Sequence, residues 1–262
     1  MRPLVVAHRG ATDVAAEHTL GAFVAALDAG ADGLECDVRL TADGHLVCVH
    51  DRFLPRVGRR PGIVSTMELA DLDQLDVLAR HRPWAALDDE APDLDPAEHG
   101  VLTLRRLMEV AAEHPRPVEL AIETKHPTRY GGLVERRLVE LLRDFGWDGA
   151  DAPVRVLSFS HTALQRVRRL APDLRVVQLF EQAHYWPALR RMIGTDWGVG
   201  PGIDELSEHP GLAERLALGP HEVHVWTVND RAQLDLCRHI GAHAVITDRP
   251  GALREMVDAA PA

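Results

Sequence analysis

Two short motifs place ionisable side chains at i and i+2, and both close runs that read as strands. The first is Glu35-Cys36-Asp37. Alternate residues of a strand share a face, so its two carboxylates point the same way. Anions side by side are costly unless a cation sits between them, and a hard divalent ion with oxygen ligands resolves the conflict. A pair of salt-bridged acids is the plain alternative. The second motif, Glu123-Thr124-Lys125, offers a carboxylate and an ammonium on one face. Glu123 could complete a three-carboxylate oxygen site, while Lys125 aims a compact positive charge at the same place; an intrastrand Glu–Lys pair is the alternative here. Lys125 stands out because 28 of the 29 basic residues are Arg and it is the sole Lys.

Two histidines also fall at strand ends, in His8-Arg9-Gly10 and His50-Asp51. Imidazole titrates near neutrality, so a pair of them can protonate a leaving group and deprotonate a nucleophile. Arg9 presents a forked donor that suits phosphate oxygens. Trp226 lies near the end of a late strand, where an indole forms either core or an apolar wall for a ligand. Together these groups suit a phosphate ester held between a divalent cation and two cationic side chains. Ser158, Ser160, Thr247 and Asp248 occupy other strand ends with no role that the sequence reveals. His-x-His on the first strand, a Gly-x-Ser-x-Gly elbow and a phosphate-binding P-loop are all missing, which sets aside zinc amidohydrolases, serine hydrolases and P-loop enzymes.

The elements that must position these groups are β-rich runs alternating with helical patterns. Strands are expected at Leu4–His8, Gly33–Val38, Val118–Thr124, Val154–Phe159, Arg175–Leu179, Trp197–Val199, Val223–Val228 and Ala244–Ile246. Helices are expected at Thr19–Ala29, Thr103–Glu113, Gly132–Phe145, Thr162–Leu170, Leu212–Ala217 and Arg231–Ile240. Leu20, Phe23, Val24 and Leu27 recur at i, i+3, i+4 and i+7, one face of a helix, and Gly30 is its stop signal. Most later strand runs are continuously apolar, as for parallel strands buried on both faces. Eight strands alternating with helices in 262 residues fit a (β/α)₈ barrel. A doubly wound open sheet is the competing arrangement.

Asp43-Gly44 between two alternating runs is a hairpin signal, which brings His50 back to the level of Asp37. From Arg52 to about Gly100 strand patterning gives way to turn residues, Pro55, Pro61-Gly62, Pro83, Pro92 and Pro96. Residues 52–100 therefore read as an insertion over the site, within a single domain spanning 1–262. Its acidic run Asp88–Glu98 reads as a solvated loop.

Composition narrows the function classes. Acidic residues outnumber basic ones, 40 to 29, for a net charge of −11. That disfavours nucleic acid and anionic membrane as partners. No apolar run is long enough for a transmembrane helix, and Leu4–Ala7 is too short for a signal-peptide core, so a cytoplasmic protein is expected. Cys36, Cys48 and Cys237 have neither the number nor the spacing of a disulfide framework or zinc knuckle. The sequence carries no signal for oligomeric state.

Over essentially its whole length the chain resembles the glycerophosphodiester phosphodiesterase family. His8-Arg9-Gly10 matches its opening motif, Glu17-His18-Thr19 matches its Glu-Asn-Thr in part, and Glu35-Cys36-Asp37 matches its Glu-x-Asp. Asp43-Gly44 through His50-Asp51, Glu123-Thr124-Lys125 and Trp226-Thr227-Val228-Asn229 follow in the family's order. The resemblance implies a TIM barrel with a small insertion after the second strand's hairpin, and hydrolysis of a glycerophosphodiester to glycerol 3-phosphate and an alcohol. It implies a divalent cation, Mg²⁺ or Ca²⁺, on Glu35, Asp37 and Glu123, acid–base work by His8 and His50, and phosphate contacts from Arg9 and Lys125. Which histidine is the acid stays open, as does attack by water or by the glycerol 2-hydroxyl. His18 departs from the family's Asn, and Arg56-Val57-Gly58 from its Arg-Thr-Thr, in the insertion that selects the alcohol. A lysophospholipase D-like specificity is the nearest rival. A Schiff-base aldolase using Lys125 and a non-catalytic phosphate-ester sensor are more distant.

Overall fold

The computed structural model describes residues 2–53, 62–74 and 100–259. Nine strands lie in one sheet: β1 (Leu4–His8), β2 (Gly33–Leu40), β3 (Leu46–Cys48), β4 (Glu119–Thr124), β5 (Val154–Ser158), β6 (Arg175–Phe180), β7 (Gly198–Pro201), β8 (His224–Val225) and β9 (Ala244–Thr247). Eight of them run parallel in the order β7-β6-β5-β4-β2-β1-β9-β8, and β3 alone pairs antiparallel, with β2. Parallel bridges Val199↔Val223 and Gly202↔Trp226 join β7 to the β8 segment. The strands thus close into a (β/α)₈ barrel, and the open doubly wound sheet is set aside.

Each strand expectation is met, with one shortened. Val223–Val228 keeps ladder pairing only at His224–Val225, because beyond it Trp226 turns its backbone to the β7 side. There the Trp226 N–H donates to Pro201 O, and Trp226 O accepts from Ile203 N–H.

Between the strands run α1 (Leu20–Asp28), α2 (Leu69–Leu72), α3 (Leu104–Glu113), α4 (Leu133–Asp144), α5 (His161–Leu170), α6 (Trp186–Leu189), α7 (Ile203–Glu208), α8 (Pro210–Ala217), α9 (Arg231–His239) and α10 (Pro250–Asp258). Thr19, Thr103, Ser160 and Asp230 cap α1, α3, α5 and α9 by accepting a backbone N–H three residues on. That gives Ser160, chemically mute in the sequence, a structural task. The one-turn helices α2 and α6 are too short to leave a 3.6-residue period and were not expected.

A large core joins the helices to the outer face of the barrel, with Phe23, Leu34, Leu107, Leu138 and Val156 among its fully buried members. A separate cluster fills the barrel itself: Val6, Ala121, Leu157, Val177, Leu179, Ala244 and Ile246. This inner layer sets the site, because the residue two places on from the last inward-facing member of a strand emerges at the carboxyl end. Val6 leads to His8, Ala121 to Glu123, Leu157 to Phe159, Leu179 to Glu181 and Ile246 to Asp248.

The opposite end is closed by charge. Arg155 is buried there, ion-paired with Glu119 and Glu222, and its Nη2 lies 2.8 Å from His243 Nε2. His224 is buried beside them, with Nε2 3.7 Å from Glu222. Burial lowers its pKa to about 4, leaving the ring neutral.

The Asp43-Gly44 hairpin forms as expected, with Gly44 at φ 89° and Val38 paired to Cys48. Val49 N–H then donates to Asp37 O at 2.9 Å, bringing His50 beside Asp37 as anticipated. Of the insertion, Val64 and Leu72 pack with Val47, Val49 and Val101 in a small core against the hairpin. Leu54, Arg56, Trp84, Leu87 and the run Asp88–Glu98 lie outside the described residues.

Candidate active site

An open cleft of about 560 Å³, counted out to solvent, occupies the carboxyl end of the barrel. Its walls include His8, Arg9, Glu35, His50, Glu123, Lys125 and Trp226, so seven of the eight residues singled out in the sequence meet there. The eighth, Asp37, lies buried just behind, 2.9 Å from both Arg9 Nε and Lys125 Nζ.

Glu35, Asp37 and Glu123 are all buried and can each bring a carboxylate oxygen within 4.8 Å of the others. Adjacent parallel strands explain the convergence, since β2 and β4 pair Asp37 directly with Glu123. The charge there does not balance. Arg9 and Lys125 supply two cations against three carboxylates, and Lys125 Nζ spends itself on Glu123 at 2.8 Å as well as on Asp37. Burial, then the nearby Asp37 charge, raises the Glu123 pKa to about 7, and burial with both neighbours pushes Glu35 well above the carboxylate range. Burial also opposes ionisation of Asp37, but His18, Lys125 and Arg9 outweigh it and hold that carboxyl well below its ordinary value. Opposing shifts among three oxygen donors mark a place short of one positive charge. This donor set fits a hard divalent cation, and gives nothing to favour a softer metal.

A second grouping, Glu222, His224 and His243, does not fit a cation. The Arg155 guanidinium already lies against it, and its donation to His243 Nε2 keeps the ring proton on Nδ1.

Each histidine is backed by an acid. His8 Nδ1 lies 2.7 Å from Asp248 Oδ1, and His50 Nδ1 lies 2.8 Å from Asp51 Oδ1. The hydrogen bond from His8 lowers the Asp248 pKa, so the carboxylate accepts and Nδ1 carries the proton. Both rings therefore leave Nε2 for the cleft. Burial, reinforced by Lys125 and Arg9, holds His50 below the ordinary imidazole pKa. Asp248 is itself fixed: Asn229 Nδ2 donates to its Oδ2 at 2.8 Å, and its N–H donates to Asn229 Oδ1 at 3.0 Å. On the other side, Arg39 Nε and Nη2 both donate to His50 O, at 2.9 and 2.7 Å.

The loop after β1 uses unusual backbone. Arg9 and His18 have φ of 58° and 59°, and His18 N–H donates to Arg9 O at 2.9 Å. Positive φ at two non-glycine residues costs on the order of 1–3 kcal/mol each, which the loop's contacts must offset. Among those contacts, His18 Nε2 accepts the Asp37 N–H at 3.0 Å. Gly10 follows at φ 97°, passing so close to α1 that a Cβ there would stand 2.6 Å from Ala22 Cβ.

The sequence profile of the "Glycerophosphoryl diester phosphodiesterase family" matches residues 8–252. A relative from Mycobacterium tuberculosis, "Probable glycerophosphodiester phosphodiesterase 1", is 43% identical over 253 residues, covering 95% of this chain and 90% of its own length. The chain belongs to the glycerophosphoryl diester phosphodiesterase family. A Bacillus subtilis glycerophosphodiester phosphodiesterase is 30% identical, covering 95% of this chain and 84% of its own. Among solved structures, an Oleispira antarctica phosphodiesterase in complex with the product sn-glycerol-3-phosphate superposes with a TM-score of 0.79 at 24% identity, covering 98% and 97% of the two chains. This likeness confirms the barrel.

For this member of the glycerophosphoryl diester phosphodiesterase family, the sequence motifs find the groups that meet at the cleft and miss their supports. Asp248 and Asn229 both lay within the stretches singled out, yet only the barrel shows that they fasten His8. Arg39 sits two residues beyond Asp37 on β2, so the same i+2 spacing marks it. Phe159 and Glu181 also line the cleft, one residue past the ends of β5 and β6, and belong to no motif. Among the described residues, no helix is long and apolar enough to cross a membrane.

Proposed function

We propose that the chain hydrolyses glycerophosphodiesters to glycerol 3-phosphate and an alcohol, with Glu35, Asp37 and Glu123 holding a divalent cation, Mg²⁺ or Ca²⁺. The observation that supports this most is one cleft shared by a charge-deficient three-carboxylate group and two histidines, each backed by an acid. When bound, the cation would act as a Lewis acid on the phosphoryl group and neutralise developing negative charge.

The chain's own groups do the rest. Lys125 has three N–H donors and two carboxylate contacts, leaving a direction for a phosphoryl oxygen. Arg9 spends Nε on Asp37 and Nη1 on Glu17, and its remaining donors serve the same purpose. Both cations withstand burial because the facing acids raise their pKa values, so they stay charged at neutral pH. His8 and His50 divide the proton work. One takes a proton on Nε2 from the attacking hydroxyl and the other gives one to the departing alcohol oxygen; the attacker is water, or it is the glycerol 2-hydroxyl, which forms a cyclic phosphate that water then opens to glycerol 3-phosphate. A sensor would need neither backed imidazole, and an aldolase lysine needs a depressed pKa, opposite to that of Lys125.

The test couples glycerol 3-phosphate release from glycerophosphocholine, glycerophosphoethanolamine and glycerophosphoglycerol to an indicator enzyme. EDTA is expected to abolish release, Mg²⁺ or Ca²⁺ to restore it, and His50→Ala to remove about 10²–10⁴-fold of the rate. Folded, metal-loaded protein that releases nothing from any of the three would overturn the proposal and direct attention to lysophospholipids.

A further inference from the structure

A second cavity, of about 330 Å³ counted out to solvent, opens between β2, the start of the insertion and the loop from β4 to α4. Lys125 is the one lining residue it shares with the catalytic cleft, and the Lys125 ammonium is already held by Asp37 and Glu123. Three arginines line this cavity, Arg39, Arg52 and Arg129, and no Asp or Glu does.

That lining is out of keeping with the rest of the chain. Acids outnumber bases 40 to 29, and Arg105, Arg143, Arg168 and Arg254 each reach a carboxylate. Arg52 and Arg129 make no ion pair with any described residue; each guanidinium lies 5.9 Å from the ring centroid of its chain neighbour, Phe53 or Tyr130. Arg39 gives Nε and Nη2 to His50 O, which leaves three of its five N–H donors. Burial lowers the Arg39 pKa and nearby Arg52 adds to the fall, although Asp37, Asp51 and Glu123 oppose it. Like charges gathered in one cavity repel, and an anion between them removes that cost.

The donors are also held in place. His50 O fixes the Arg39 fork, and the Tyr130 hydroxyl donates to Ser65 O, which ties the loop bearing Arg129 to the insertion. Planar forks of this kind match the oxygens of a phosphate group, and a space this small suits one compact anion rather than a polymer.

We propose that Arg39, Arg52 and Arg129 form a second anion site, separate from the catalytic cleft, that takes one phosphate dianion, either free orthophosphate or the phosphate group of a monoester. The site goes beyond the hydrolytic reading and does not depend on it, because its occupancy needs no turnover.

The test is isothermal titration of the metal-free protein, in EDTA, with orthophosphate and separately with glycerol 3-phosphate. Without a cation the catalytic cleft sets three carboxylates against Arg9 and Lys125 and holds a dianion poorly, so the heat reports the arginine cavity. One equivalent is expected to bind, and Arg52→Gln and Arg129→Gln are each expected to weaken binding by about 10-fold or more, through the loss of a charge-assisted hydrogen bond. Both residues are exposed, so the variants should fold, which thermal unfolding checks. Arg9→Gln alters the catalytic cleft alone and should leave the affinity within about twofold. Tighter binding of orthophosphate identifies the free ion as the ligand, and tighter binding of glycerol 3-phosphate identifies a monoester. Absence of saturable binding of either probe below about 10 mM would overturn the site. So would binding that Arg9→Gln abolishes and the other two variants leave intact, which would return the anion to the catalytic cleft.

Discussion

Asp248→Asn tests whether the acid behind His8 sets the chemistry of the ring. In the native site Asn229 Nδ2 donates to Asp248 Oδ2 at 2.8 Å, while Oδ1 accepts from His8 Nδ1 at 2.7 Å. After the substitution the Asn229 donor selects the amide oxygen for the Oδ2 position. The amide nitrogen must then face His8, donating where the carboxylate accepted. His8 Nδ1 turns its lone pair to that donor, and the ring proton moves to Nε2, the nitrogen left for the cleft. A neutral ring so arranged cannot take a proton from the nucleophile, and a charged ring has lost its counter-ion. A wrong tautomer of this kind costs about 10²–10⁴-fold in kcat, or roughly 3–5.5 kcal/mol of barrier. KM should change little, because His8 binds no substrate charge in this scheme. The assay is steady-state release of glycerol 3-phosphate with the metal saturating, alongside thermal unfolding to show that the variant folds. A folded Asp248→Asn enzyme with kcat within a few fold of the wild type would refute the argument.

Two further predictions concern stability. Gly10→Ala combines a φ of 97° with a methyl 2.6 Å from Ala22 Cβ and 2.7 Å from its carbonyl carbon, so about 2–4 kcal/mol of unfolding free energy should be lost in urea titrations; a loss below about 1 kcal/mol would show that α1 yields easily. His224, facing Glu222, His243 and Arg155, has its folded pKa lowered by burial to about 4. The unfolded ring titrates near 6.5, so below that pH the unfolded chain binds the extra proton. Its contribution is therefore present above pH ~6.5 and is lost as pH falls toward ~4, by on the order of 1–3 kcal/mol. His224→Gln should flatten that stretch of the stability–pH curve, and an unaltered slope would assign the dependence to other groups.

The parts of this protein legible in its sequence are those governed by a period of two. Glu35 with Asp37, and Glu123 with Lys125, announce a shared face because a strand alternates whatever surrounds it, and Asp43-Gly44 announces a turn for similarly local reasons. The barrel follows from alternation of such strands with helices, and it needed closure between β7 and β8 to be told from an open sheet. What the sequence conceals is pairing across space. Nothing local joins His8 to Asp248, or shows that Asn229 holds that acid in place. Phe159 and Glu181 are single residues at strand ends, and only the neighbouring strands bring them to the same cleft as Trp226. His18 is a different case: the exchange of Asn for His is visible in the sequence, but that its Nε2 ties the Asp37 backbone is a fact of burial.

The bond between His8 and Asp248 spans 240 positions and crosses the seam where the first strand meets the last. During synthesis the chain acquires both histidines and all three carboxylates well before it acquires Asp248. A nascent barrel lacking β9 thus has its carboxylates and its imidazoles, yet one ring has nothing to fix its proton. On the proposed mechanism, competence needs β9 docked against β1, a contact that closes a long loop. In refolding, turnover should accordingly appear after secondary structure and times the docking of the last strand.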